Sequence, residues 1–414
     1  MIPWQDHRAR LMEAVRALDP VELPLAEARG AVLADDVRTM HPVPLFDNSA
    51  MDGFAVRRSD ARPGARLRVV GDAPAGAAED PSFGPGETVR IMTGAPVPSD
   101  ADAIVPIEKV RIDPAEDGAP ENGTTGSDGL PARIEILEEP KPGAHIRRLG
   151  EDTPAGEIAV PAGVELTPWH LAAAASAGHG RVRVIRRPRV AVVSTGSELV
   201  PAGQELRRGQ IPESNSVLLA AALDADAFEV VDVSWFRDED CEDLAGHVRA
   251  LAADGLADAV VVSGGASVGA FDVAKHALAP LGVRFEKVAI QPGKPQGFGL
   301  VDDRLPVFCL PGNPVAVSVC YELFVRPALR VMSGNDQVLR PTVLRRARVG
   351  WTCPKGRAQA LPAIMDERTV APASAGGSGS HLVVSLARAH DLAIVPAAAD
   401  RVEAGDEVEV MVLS

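Results

Sequence analysis

Val307–Phe324 reads VFCLPGNPVAVSVCYELF, two apolar runs separated by Pro311-Gly312-Asn313-Pro314. The first run is short and rich in β-formers, the second is long enough for about three turns of helix, and the residues between them are turn formers. Asn313 is placed to accept the free amides of the helix start. Pro314 suits the first helical position, because its missing N–H would be unpaired there anyway. The expectation is a strand, a tight turn and a helix N-terminus that can seat an anion. An ordinary capped strand-to-helix junction shows the same residues, so the surrounding chain has to distinguish the two.

Outward from this stretch, residues 189–332 alternate between strand and helix patterns. RVAVVST, FEVVDVSWF, DAVVVSGG, VRFEKVAI and LPVFCL read as strands. NSVLLAAALDA, EDCEDLAGHVRALAA, FDVAKHALAPL and the closing PVAVSVCYELFVRPALRVM read as helices. Such alternation predicts a doubly wound α/β domain with helices on both faces and ligands at the carboxyl ends of its strands. Residues 46–140 are rich in Pro and Gly with short β runs, and read as a β-rich lobe. Inside it, 115–129 is a polar loop insertion. Residues 1–45 and 141–186 are of mixed character and are grouped as one N-terminal domain. The α/β domain takes 187–333, and the alternating tail 334–414 reads as a small β-barrel.

The 414 residues exceed what one core usually organises. A hydrophobic fraction of 46% beside 24% charged residues is that of a globular protein. The formal charge of −15 argues against nucleic acid as a partner, since phosphate backbones are held by Lys and Arg. The opening MIPWQDHRARLMEAVRAL mixes charges into an amphipathic helix and resembles no signal peptide. No segment has the length and apolarity of a membrane span, so the expected location is the cytoplasm. Cys241, Cys309, Cys320 and Cys353 lack the spacing of a metal site and are expected to be buried free thiols.

Three strand ends carry the residues suited to chemistry. Ser194-Thr195-Gly196-Ser197-Glu198 puts an acid at the mouth of the sheet beyond a permissive glycine. Ser263-Gly264-Gly265-Ala266-Ser267-Val268-Gly269 is a turn whose amides can approach a phosphate or a pterin-like ring, and Asp272 follows at a helix start. Pro311-Gly312-Asn313-Pro314 is the third. Neither a dinucleotide fingerprint nor a P-loop is present. Lys287 and Lys294 flank a Pro-Gly turn and suit oxyanion contact, although two surface lysines on a loop would look the same. Glu198, Asp238 and Asp272 jointly suit a hard cation such as Mg²⁺. Asp238 alone is equally well read as a helix N-terminal acid. Far upstream, Asp52 sits between Met51 and Gly53 in NSAMDGFAV, where turn chemistry does not explain an acid.

Together and in this order, NSAMDGFAV, IMTGAPVPSDADAIVPIE, RRLGEDTPAG, VAVVSTGSELV, GQIPESNS, VVVSGGASVGAFD, KVAIQPGKP and LPGNPVAV resemble the molybdopterin molybdenumtransferase family. That family is known as MoeA in bacteria and as the E domain of gephyrin-type proteins. The resemblance implies an elongated homodimer that takes adenylylated molybdopterin and molybdate, inserts the metal and releases AMP with the help of Mg²⁺. It implies that Asp52 and Thr93 are active-site residues lent to the partner's cleft, and that Glu198, Asp238 and Asp272 organise Mg²⁺. By the same resemblance Lys287, Lys294 and Ser380 meet phosphate or molybdate; molybdopterin adenylyltransferase and the recipient molybdoenzymes are the implied protein partners. Gln291, Ala316 and Pro362 depart from the family pattern and are expected at the oxyanion end of the cleft. Two other readings fit the same fold: a pterin-binding scaffold without turnover, and the adenylyltransferase of the preceding step.

Overall fold

The central sheet shows why the strand runs are continuously apolar. In the computed structural model, which describes residues 1–112, 130–265, 273–374 and 383–413, six strands lie in one sheet. Their order is Glu229–Phe236, Arg189–Thr195, Ala259–Ser263, Leu305–Leu310, Pro295–Val301 and Arg284–Lys287. Successive side chains of a strand point to opposite faces, and here both faces are covered. Val190, Val192, Val261, Phe308 and Leu310 face a core shared with the Asn215–Ala225 helix, the closing helix and Trp4 and Leu11 of the Trp4–Ala14 helix. Ala191, Val193, Val260, Val262, Val307 and Cys309 face the Cys241–Ala253 and Val273–Leu278 helices.

The first four strands are parallel. The last two form an antiparallel edge, and Pro295–Val301 is a strand that the sequence pattern hides. Gly297 and Gly299 break its apolar alternation because neighbours occupy the space of a side chain. A Cβ on Gly297 would lie 2.8 Å from Cys309 Cβ, and one on Gly299 2.6 Å from Val283 Cα.

The closing helix, expected as one piece, has three: Pro314–Cys320, a π-turn at Tyr321–Val325, and Arg326–Met332. Pro327 can donate no hydrogen bond to the preceding turn, and the wider π spacing falls where that bond would be. The turn is locked by a buried polar cluster. Tyr321 Oη donates to Asp226 Oδ2 at 2.8 Å, and Asp226 also accepts from Arg326 Nε at 3.0 Å and Arg340 Nη2 at 3.3 Å.

Residues 53–136 build a second six-stranded sheet, ordered Ala103–Pro106, Gly53–Val56, Glu87–Ile91, Arg66–Ala73, Arg133–Ile136 and Val110–Ile112. Its buried core is drawn from that lobe, with Ala144 and Ile146 packed against it. The 115–129 insertion lies outside the described residues. Pro20–Pro24 and Val32–Leu33 flank Arg181–Ile185 in a small sheet that packs beside the Pro168–Ser176 helix.

In the tail, Ala358–Met365, Thr369–Pro372, Thr342–Ala347, Glu407–Val412 and Asp391–Val395 pair in turn, and the last closes onto the first as a barrel. Ile290–Gln291, leaving the central domain, adds to this barrel parallel to Ala358 and Gln359. All four cysteines are free, but only Cys309 and Cys320 are fully buried; Cys241 and Cys353 are half-buried. Among the described residues no helix is long and apolar enough to cross a membrane.

Candidate functional site at the strand ends

The loop after Thr195 is stapled to the loop after the neighbouring Glu229–Phe236 strand. Ser197 N donates to Asp238 Oδ2 at 3.3 Å, Asp238 N donates to Ser197 Oγ at 3.0 Å, and Ser197 Oγ donates to Glu239 Oε2 at 3.0 Å. Trp235 Nε1 adds a bond to Gly196 O at 3.0 Å. Gly196, with φ +149°, has the Glu198 carboxylate folded over it: a Cβ there would lie 2.7 Å from Glu198 Oε2. Glu198 and Asp238 therefore stand as exposed carboxylates on either side of Ser197. Asp238 is not a first-turn acid, since the helix starts at Cys241 and carries Glu242 and Asp243 in its first turn. Two exposed carboxylates with no cationic partner among the described residues fit Mg²⁺, which takes its other ligands from water and phosphate. Among the described residues no group of three acids, histidines or cysteines forms a complete metal cage. Asp272, the third expected acid, lies outside the described residues, as do Ser267 and Ser380.

The second and third strand ends meet the first. Ser263, buried, hydrogen-bonds Ser194 Oγ at 3.2 Å, and Ser194 Oγ donates to Glu213 Oε1 at 2.9 Å. Glu213 also takes the Ser216 amide at 2.9 Å, so it anchors the helix that begins at Asn215. Asn215 Nδ2 reaches across to donate to Gly312 O at 2.8 Å. Gly264 N donates to Leu310 O at 3.1 Å, and Gly312 lies so close that its Cβ would stand 3.4 Å from Gly264 Cα. Gly264 and Gly265 hold φ of +98° and +58°, and a Cβ on Gly264 would overlap the Thr195 main chain. Gly312 thus adjoins Gly264 directly, with Pro311 and Asn313 on either side of it in the chain.

Asn313 departs from the expectation in one respect. Its side chain does not cap the following helix; its main-chain oxygen accepts from Val317 N at 2.9 Å instead.

Thr195 and Asn215 also belong to this junction, although the sequence singles out neither as a site residue. Each is buried and holds a polar atom with no partner among the described residues, Oγ1 and Oδ1 respectively. Thr195 reads as the last residue of a strand and Asn215 as a helix opener. The only available signal was that both fall in polar runs at ligand-facing ends.

Lys287 and Lys294, both exposed, share the edge hairpin. Lys287 pairs with Pro295, and Lys294 O accepts from Val288 N at 2.8 Å. The turn between them is fixed from below: Gln296 Nε2 donates to Gly293 O at 2.7 Å and to Cys320 Sγ at 3.0 Å. Burial pushes the Cys320 thiol up to about 12, so it is an inert packing group. Of the three family departures, Gln291 lies on the strand that joins the barrel. Ala316 and Pro362 are buried, in the closing helix and a barrel strand, and present no side chain to an open cleft.

Asp52 and Thr93 meet each other on the β-rich lobe. Asp52 Oδ1 accepts from Thr93 N at 2.7 Å and from Thr93 Oγ1 at 2.8 Å. These bonds hold its carboxyl below the usual carboxylate range, hence anionic. Gly53, which opens the next strand, must be glycine because the neighbouring strand approaches so closely that a Cβ would overlap the Val105 carbonyl. No described residue of this lobe contributes to the two cores around the central sheet, so the pair is not built onto the strand-end junction.

Three family models match the chain: the MoeA N-terminal region (domain I and II) over residues 2–178, the probable molybdopterin binding domain over 191–331, and the MoeA C-terminal region (domain IV) over 345–413. The chain is 39% identical over 419 residues to molybdopterin molybdenumtransferase 2 of Mycobacterium tuberculosis, covering 98% of each. It is 34% identical over 417 residues to molybdopterin molybdenumtransferase of Haemophilus influenzae, covering 99% of this chain and 98% of that one. The crystal structure of the molybdopterin biosynthesis MoeA protein from Pyrococcus horikoshii matches with a TM-score of 0.77 at 30% identity, covering 100% of this chain and 99% of that one.

Proposed function

This chain belongs to the MoeA family of molybdopterin molybdenumtransferases, the enzymes of molybdenum insertion in molybdenum cofactor biosynthesis, and we propose that its substrates are adenylylated molybdopterin and molybdate, with AMP released. The observation that carries this reading is the junction itself: three adjoining strand-end loops, two rich in glycine, beside two exposed carboxylates tied together through Ser197. Glycine turns let a ring or a phosphate approach main-chain amides, and the carboxylates suit a cation shared with a phosphate link.

On this reading Glu198, Asp238 and Asp272 hold Mg²⁺, which when bound neutralises charge on the phosphoanhydride. Water adds to the anhydride phosphorus, the bridging P–O bond breaks, AMP leaves, and the other phosphate stays on the pterin side chain. Lys287 and Lys294 attract molybdate and balance its charge. Gly264, Gly265, Ser267, Pro311, Gly312 and Asn313 form the bed for the substrate, and Ser263 fastens that bed through Ser194. In a cytoplasmic homodimer, Asp52 and Thr93 of one protomer complete the cleft of its partner; their place on a lobe with its own core supports a role away from their own strand ends. Ser380 serves the same cleft from the barrel domain. The four-part division at 1–45 with 141–186, 46–140, 187–333 and 334–414 is part of the proposal. So are handovers from the adenylyltransferase and to molybdoenzymes.

The test mixes purified protein with adenylylated molybdopterin, Mg²⁺ and low molybdate or tungstate, and follows AMP and metal-loaded cofactor. Oxyanion-dependent AMP release is expected. Tight binding without turnover under either oxyanion would refute the catalytic reading and leave a pterin-binding scaffold.

A further inference from the structure

The proposed function accounts for the glycines and acids of the junction but leaves two of its atoms unused. Thr195 Oγ1 and Asn215 Oδ1 have no hydrogen-bond partner among the described residues, and the two residues are only 5% and 6% exposed. Proteins leave few buried polar atoms unpaired, and each one needs a reason. Helix capping is not the reason for Asn215, since Ser214 holds the cap position.

Asn215 has a defined amide orientation. Its Nδ2 donates to Gly312 O at 2.8 Å, and a carbonyl can only accept, so the free atom is the acceptor Oδ1. The Thr195 hydroxyl lies under the glycine pair: a Cβ on Gly264 would stand 2.8 Å from Oγ1 and one on Gly265 3.1 Å. Both glycines hold left-handed φ, +98° and +58°, and lacking side chains they give the main chain over the hydroxyl freedom to turn.

We infer that Thr195 and Asn215 form a reader for the N–H edge of the substrate's fused heterocycle. The inference rests on the transferase reading and narrows it. An acceptor-only oxygen is mismatched to phosphate and molybdate, which are themselves acceptors, so this corner of the junction does not serve the anionic part of the ligand. A hydroxyl that both donates and accepts and an amide oxygen that only accepts, both held at the junction of Gly264 and Gly312, match a ring with N–H groups along one edge. Two rings of the substrate carry that chemistry: the pterin, with its amide and amine N–H groups, and the adenine, with its amine.

The test uses full-length Thr195→Val, which keeps the shape and removes the hydroxyl, together with Thr195→Ser, which restores it. Because Oγ1 makes no internal bond, the Tm of Thr195→Val is expected to equal or exceed that of wild type. Its affinity for adenylylated molybdopterin, titrated by pterin fluorescence, is expected to fall about three- to tenfold, the span of one hydrogen bond, and Thr195→Ser is expected to recover it. Parallel titrations with AMP and with 6-hydroxymethylpterin assign the ring: a loss confined to either one supports the reader and identifies its target. Unchanged affinity of Thr195→Val for all three probes would overturn the inference and leave the transferase reading intact. A clear drop in its Tm would also overturn it, by showing that the hydroxyl is structural. Failure of wild type to bind any of the three probes would refute both.

Discussion

Replacing Gly264 by alanine tests whether the strand ends are as tightly joined as their geometry says. The backbone there has φ +98°, and an added Cβ would overlap the Thr195 main chain and lie 2.8 Å from its hydroxyl. The left-handed conformation costs an L-residue about 1–2 kcal/mol. Relieving the overlap adds about 1–3 kcal/mol, as other overpacked sites do. Gly76→Ala is the matched control, because Gly76 has φ +83° and nothing within 4 Å of its added Cβ. It bears the first cost alone. Urea unfolding should therefore place Gly264→Ala about 1–3 kcal/mol below Gly76→Ala. The strain can be relieved only by parting the loops after Thr195 and Ser263, so AMP release should also suffer. A loss of about 1.4 kcal/mol in transition-state binding lowers kcat/KM tenfold, and at least that is expected for Gly264→Ala, with Gly76→Ala unaffected. Equal stability and equal kcat/KM in the two variants would refute the close approach and the site built on it.

Three further outcomes follow from other parts of the molecule. Asp226→Ala strips the carboxylate from Arg326, Arg340 and Tyr321 in a place where the Asp226 and Arg326 side chains are each 8% exposed; a loss of about 3–5 kcal/mol is expected by urea unfolding, against about 0–1 for breaking the exposed Arg401–Glu403 pair. His7 is buried edge-on against Phe324, and burial lowers its pKa from 6.5 to about 4. The unfolded chain then takes up the proton first, so the stability from neutral His7 is complete above about pH 6.5 and is lost as pH falls toward 4; Tm measured across this range should lose up to about 3 kcal/mol worth of stability, and His7→Leu should flatten the dependence. Glu198→Gln and Asp238→Asn should each raise the Mg²⁺ concentration for half-maximal AMP release more than tenfold; an unchanged requirement would refute their role as ligands.

How much could be read without coordinates depends on whether neighbours or the chain itself decide a residue's state. The parallel strands were legible because Val190–Val193, Val260–Val262 and Val307–Leu310 are buried on both faces, which leaves an unbroken apolar run. The Pro295–Val301 strand was not, because its glycines answer to Gly282, Phe285 and Cys309, distant in sequence and adjacent in space. Asp52 was legible as an acid out of place, and the structure supplies its partner, Thr93. Asn313 showed the right residue type for a cap without the bond, since propensity describes many helices and not this one. Thr195 and Asn215 gave no distinguishing signal, because what marks them is a missing partner, and a missing partner is a property of packing.

The two-residue strand Ile290–Gln291 ties more together than its length suggests. On one side Ile2 pairs with Val288 and accepts from Ala289 N at 2.7 Å; on the other, Ala358 N of the barrel donates to Ala289 O at 3.0 Å. The same short stretch lies in the connection between the two hairpin arms, which Lys287 and Lys294 bracket. It therefore fastens the connection between the two lysines to the first strand of the barrel and to the N-terminal residues at once. The main chain that carries the two cationic residues is in this way held partly by a domain to which they do not belong.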